Sequence, residues 1–107
     1  MIASTPDPPY YAVIFSSLKE DDSVGYAEMA QRMVHLATQQ PGFIGVESAR
    51  QDIGITVSYW KDRKSIRQWK QHIDHQLAQK LGRERWYSHY KTRICKVEFD
   101  YEFNRLL

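Results

Sequence analysis

A chain of 107 residues with 15 Lys and Arg against 13 Asp and Glu, formally +2, is the length of one domain with one core. Its 42% hydrophobic and 13% aromatic content excludes a disordered chain. So small an excess of cations leaves no electrostatic footprint for nucleic acid or a membrane surface.

One cysteine, Cys95, excludes an internal disulfide and suits a reducing compartment. The opening MIASTPDPPYY lacks the basic and apolar regions of a signal peptide, and no stretch reaches the roughly 18 apolar residues of a membrane helix. The cytoplasm is the expected location, with no membrane partner.

Pro6, Pro8 and Pro9 mark residues 1–9 as a flexible arm ahead of a single domain over 10–107. YYAVIFSSL (10–18) is β-branched and aromatic, which predicts a strand closed by the charged turn KEDD. Asp22 or Ser23 can cap a helix whose buried face is Tyr26, Met29, Ala30, Met33, Leu36 and Ala37, and Pro41 with Gly42 ends it. FIGVESA and GITVSYW then form a hairpin about Asp52 and Gly54. A second helix is expected over 62–79, stopped near Gly82. YKTRICKVEFDYEF (90–103) makes a last, long strand.

The order βαββαβ predicts an α+β, ferredoxin-like fold: an antiparallel four-stranded sheet with both helices on one face. The other face should turn polar if it meets water. Instead, both sides of the first strand are apolar: Tyr11, Val13 and Phe15 on one, Tyr10, Ala12, Ile14 and Leu18 on the other. Cys95, Val97, Phe99, Tyr101 and Phe103 extend the apolar line along the last strand, where Cys95 is expected to be an inert buried thiol. An apolar face of that size implies a homodimer packed through the open sheet face.

QQPGFIGVES (39–48), ITVSYWKD (55–62), IRQWKQHIDH (66–75) and LGRERWYSHYKTRICKVEFDYEF (81–103) together resemble the antibiotic biosynthesis monooxygenase family, over about residues 10–103. The resemblance implies a dimeric α+β barrel. It also implies one of several activities: cofactor-free oxidation of polyphenolic anthrones to quinones, haem binding and degradation, or action on quinols or signalling molecules. In the first two groups a tryptophan placed as Trp60 lines the cavity between sheet and helices, while a core role pinning strand to helix is equally compatible.

At about 100° per residue, Ile66, Trp69, Ile73 and Leu77 share the sheet-facing stripe of the second helix. His72 lies at its edge and His75 points nearly opposite. His72 is therefore the pocket candidate. His72 and His75 at i, i+3 lack an apparent third ligand, so no metal is expected. Haem-degrading members place their ligand histidine on this helix but carry an asparagine where this chain has Ser16 and Ser17. RERWYSHYKTR (83–93) interleaves cations with rings, yet ITVSYWKD is not the RNA-recognition motif, so nucleic acid is not expected.

The reading that results is a homodimeric, cofactor-independent monooxygenase acting on a planar phenolic or quinone-like small molecule. Such chemistry needs a flat cavity, a proton acceptor and an anion stabiliser. Trp60 and His72 are the catalytic candidates. Tyr59, Trp69, Tyr87 and Arg93 are the substrate-binding ones, with Arg85 an alternative to Arg93. The alternatives are a haem- or small-molecule-binding protein, including a haem-degrading one, and a dimeric module without catalysis.

Overall fold

The computed structural model describes residues 1–20, 25–76 and 86–105. They form β1 (Tyr10–Lys19), α1 (Tyr26–Thr38), β2 (Phe43–Arg50), β3 (Gly54–Trp60), α2 (Arg63–Gln76) and β4 (Tyr87–Val97). All strand pairs are antiparallel, in the order β2-β3-β1-β4. This is the ferredoxin-like α+β arrangement that the strand and helix order predicts.

The register assigns the paired strand residues to a face, because residues directly opposite in a ladder point the same way. Tyr11 is opposite Trp60, Val13 opposite Ser58 and Ile94, and Ser17 opposite Gly54 and Tyr90. These line the helix face. Ala12 is opposite Tyr59 and Cys95, and Ile14 is opposite Val57 and Arg93. These line the open face.

On the helix face Ala37 of α1, Trp60 of β3 and Ile66 of α2 make the buried centre, with Tyr11, Val13, Phe43 and Trp69 packed around it. On α1, Tyr26, Met29, Ala30, Met33, Leu36 and Ala37 are the residues withdrawn from solvent along the helix, which is the face the 3.6-residue period predicts. The helix starts behind Gly25, whose φ of 83° is left-handed, and no side chain caps it. Asp22 and Ser23 lie outside the described residues.

Gly42 is needed for two reasons. Its φ is 84°, and a Cβ there would overlap the Ser65 side chain at the start of α2. Its carbonyl accepts from Lys61 N–H at 2.8 Å, tying the start of β2 to the end of β3. Asp62 then caps α2, accepting from Ser65 N–H at 2.8 Å. That hydrogen bond, together with one from the Ser65 side chain, holds the Asp62 carboxyl below its usual range.

Two expectations for the last strand need correction. β4 ends at Val97, six residues short of the apolar pattern. Val97 pairs with Tyr10, and Tyr10 is preceded by the Pro8-Pro9 pair, which has no N–H to continue a ladder. Phe99, Tyr101 and Phe103 therefore leave the sheet and are 77%, 88% and 81% exposed. Cys95 is exposed rather than buried, because β4 is an edge strand and none of the described residues covers Cys95 on the open face.

The margins of the open face are covered by the chain's own ends. Ala3 lies against Gly45 and donates its N–H to Glu47 Oε2 at 2.9 Å. Thr5 donates to Tyr10 OH, which donates to Asp100 Oδ2. No helix among the described residues is long and apolar enough to cross a membrane.

Candidate functional site

Trp60 closes β3 and is fully buried. Its indole N–H donates to Ser58 Oγ at 2.8 Å, and Phe43 meets its ring edge-on at 5.4 Å. With one side held by strand residues, its face is left for α2. Trp69 stacks there, 6.0 Å away and inclined by 26°. One helical turn further on, His72 stacks on Trp69 at 5.8 Å and 25°. The i, i+3 spacing on one helix makes Trp69 and His72 neighbours on the same face. Three near-parallel rings thus run outward from the core, and the polar one is outermost.

The His72 Nε2 atom is enclosed and has no hydrogen-bond partner. A buried polar atom left in that condition costs roughly 1–3 kcal/mol, and such an atom in a native fold calls for an explanation. The expectations placed on the His75 side chain, Leu77, Gly82 and Arg85 lie outside the described residues. Among the described residues no group of three His, Cys, Asp or Glu side chains could hold a metal ion.

The other residues singled out in the sequence are not brought to this stack. Tyr59 follows directly before Trp60 and so points to the open face. There its hydroxyl donates to Glu47 Oε1 at 2.6 Å and its ring meets Tyr10 edge-on at 5.9 Å. Burial, and then the Glu47 carboxylate, push its pKa up to about 12. The same hydrogen bond, with that from Ala3 N–H, holds Glu47 below its ordinary range. Tyr10 is raised by its bond to Asp100. Arg93 is opposite Ile14 on this face too.

Tyr87 is on the helix face but at the far end of the sheet, paired with Lys19. It donates to Tyr26 OH at 3.2 Å and packs edge-on against Phe15 at 5.4 Å. Burial raises its pKa, and the Tyr26 hydroxyl adds to the effect. Arg50, which local sequence pattern does not mark, reaches the same place. A groove of about 260 Å³ lined by Pro6, Pro9, Tyr10, Gly42, Phe43, Ile44 and Lys61 includes neither Trp69 nor His72.

Residues 9–81 match the family model described as antibiotic biosynthesis monooxygenase. The chain belongs to this family. One relative is an uncharacterized Bacillus subtilis protein, YqjZ, 52% identical over 99 residues, spanning 91% of this chain and 87% of that protein. Among solved structures, the family fold is shared with SnoaB, a cofactor-independent oxygenase from Streptomyces nogalater. That match has a TM-score of 0.71 at 11% identity over 87% of this chain and 97% of SnoaB. PA3566 from Pseudomonas aeruginosa matches with a TM-score of 0.66 at 13% identity, over 90% and 99% of the two chains.

Proposed function

We propose that this chain is a cofactor-independent monooxygenase that oxidises a planar phenol or hydroquinone bound against the Trp69–His72 end of the aromatic stack. The observation that carries the reading is the enclosed His72 Nε2 without a partner, placed on an aromatic wall. Membership of the family and the shared fold of SnoaB support it.

A substrate hydroxyl is the donor that this nitrogen lacks, and it reaches Nε2 when the half-buried His72 ring swings outward. Nε2 takes the phenolic proton, and the resulting phenolate passes one electron to dioxygen. Recombination forms a carbon–oxygen bond. One oxygen atom then remains as a carbonyl, and the other leaves as water with the two displaced hydrogens. A phenol plus O2 thus becomes a quinone plus water. Trp69 binds the flat ring and Trp60, itself buried, positions Trp69. Tyr59 and Arg93 serve assembly in this scheme, on the face where two copies meet. That homodimer buries Ile14, Val57 and Ile55, the last of which is 42% exposed in the single chain. The reducing cytoplasm is the setting that suits a protein with one exposed thiol.

The test is oxygen uptake with a panel of phenols and hydroquinones, on the natural chain and on His72→Phe. Quinone formation that falls by about 10²–10⁴-fold in the variant supports the reading, and equal rates in both chains sink it. A haemin titration run beside it decides against the alternative: a saturable Soret shift, one per chain and lost in His72→Ala, would make His72 an iron ligand instead.

A further inference from the structure

At the end of the sheet away from Trp60, one arginine is held in a conformation that its neighbours have been shaped to accept. Arg50 ends β2 opposite Gly54, and Gly54 is opposite Ser17. Since Gly54 has no side chain, the guanidinium folds back over that strand; a Cβ there would overlap Nη2, Cζ and Nε. Nη2 donates to Ser17 Oγ at 2.5 Å and to Tyr26 OH at 3.3 Å. Ser17 is only 3% exposed, so the arginine is fixed to the floor of the sheet. Its Cζ lies 5.6 Å from the Tyr26 ring centre, and Lys19 Nζ lies 5.0 Å from the same centre.

The hydrogen-bonding tally is one-sided. The Tyr26 oxygen accepts from both Arg50 and Tyr87, which leaves its own proton to give. Among the described residues, nothing accepts from Arg50 Nε and Nη1 or from the Lys19 ammonium. Among the described residues the one ion pair is Lys70 with Asp74, so no described carboxylate neutralises Arg50 or Lys19. Two cations that share one ring with no counter-ion among the described residues repel each other, and a cation–π contact at an exposed site offsets only part of that. Counted among the described residues, the open positions of Arg50, Tyr26 and Lys19 are all donors and two of these groups are charged, so the complementary group is an acceptor that carries negative charge.

We propose that Arg50, Tyr26 and Lys19 form a binding site for the oxyanion group of a small molecule, of carboxylate or phosphate type. It is a second site: Gly54 beneath it is six positions along β3 from Trp60, about 20 Å of strand, so it stands independently of the chemistry assigned to His72. Because both Nη2 protons are committed, the anion takes single bonds from Nη1, from Tyr26 and from Lys19 rather than a fork from the guanidinium.

Calorimetric titration of the full chain at low ionic strength, with inorganic phosphate and separately with benzoate, tests this. The expected result is saturable binding of at least one anion, one per chain. It should weaken about tenfold or more in Arg50→Met, and also in Gly54→Ala, which keeps every charge but pushes the guanidinium off Ser17. Preference for phosphate identifies a tetrahedral oxyanion, and preference for benzoate a carboxylate on an aromatic body. Absence of saturable heat with both anions up to about 10 mM overturns the proposal. Equal affinities in all three chains overturn it as well, by placing the anion elsewhere.

Discussion

Replacing His72 by phenylalanine should make the protein more stable while disabling it. The substitution keeps a flat ring on Trp69, whose centre lies 5.8 Å from that of His72, and removes a polar atom that is enclosed without a partner. An unsatisfied buried polar group costs roughly 1–3 kcal/mol. Phenylalanine is slightly larger, and overpacking a closed site can cost about as much. His72, however, is only half-buried, so the ring can shift outward. The net expectation is a gain of about 1 kcal/mol, which for a domain of this length raises the unfolding temperature by roughly 4–8 °C. Thermal unfolding followed by circular dichroism, at one protein concentration so that assembly contributes equally, measures it. If the variant instead melts lower by a comparable margin, Nε2 holds a structural hydrogen bond and the argument for a vacant proton acceptor fails. A higher melting temperature with undiminished oxygen uptake would keep the packing argument and move the base elsewhere.

Other consequences can be checked alongside. Gly42→Ala meets both a left-handed backbone at φ 84° and the Ser65 side chain. About 1–2 kcal/mol for the backbone and about 1–3 for the overlap should lower stability by roughly 2–5 kcal/mol in urea unfolding, and a loss below about 1 kcal/mol would contradict that geometry. Glu47 is held below its ordinary range by Tyr59 and Ala3, so the unfolded chain takes up its proton first as pH falls. The stability it contributes is whole above about pH 4.3 and disappears as pH drops through the lower folded value; Glu47→Gln, compared by thermal unfolding from pH 7 to 3, should approach the natural chain at the acid end. Tyr59 works in the opposite sense. With its folded pKa up to about 12, the stability it gives persists to about pH 10 and is lost as pH rises further, and alkaline absorbance titration of Tyr59→Phe should lack one late-ionising phenol. For assembly, Val57→Asp should convert a dimer of twice 12.7 kDa into a monomer by sedimentation equilibrium, whereas a monomeric natural chain at micromolar concentration would refute the shared open face.

The sequence makes α1 and β3 legible because each follows one period without interruption. The buried stripe of α1 and the seven residues of β3 come from apolar spacing alone. The end of β4 does not, since its own alternation runs on to Phe103; its boundary is set by Pro8 and Pro9 on another strand, which end the ladder at Tyr10. Grouping Tyr59 with Trp60 is a different kind of miss. Neighbours on a strand point to opposite faces, so the information was present in the period itself. Arg50 gave no local sign. Its position depends on Gly54 and Ser17 across two strand pairings, and only the register connects them.

The two faces of the sheet differ in how they leave their polar groups, and the difference separates their uses. On the open face, Tyr59 is bound to Glu47, Glu47 to Ala3, and Tyr10 to Asp100. These groups are satisfied within the chain, so a second apolar surface can be laid over Ile14 and Val57 without stranding a donor or acceptor beneath it. Arg93 is on the edge strand β4, where an interface tolerates a charged rim. On the helix face the reverse holds. His72 Nε2 lacks a donor at one end, and Arg50, Tyr26 and Lys19 hold spare donors at the other. A surface meant only to be packed would not strand the His72 nitrogen, which costs free energy until a donor reaches it, nor set two cations beside one ring, where they repel until an anion lies between them. The proposed chemistry is therefore tested on the helix side of the sheet, and the proposed dimer on the side where the polar groups are already spent.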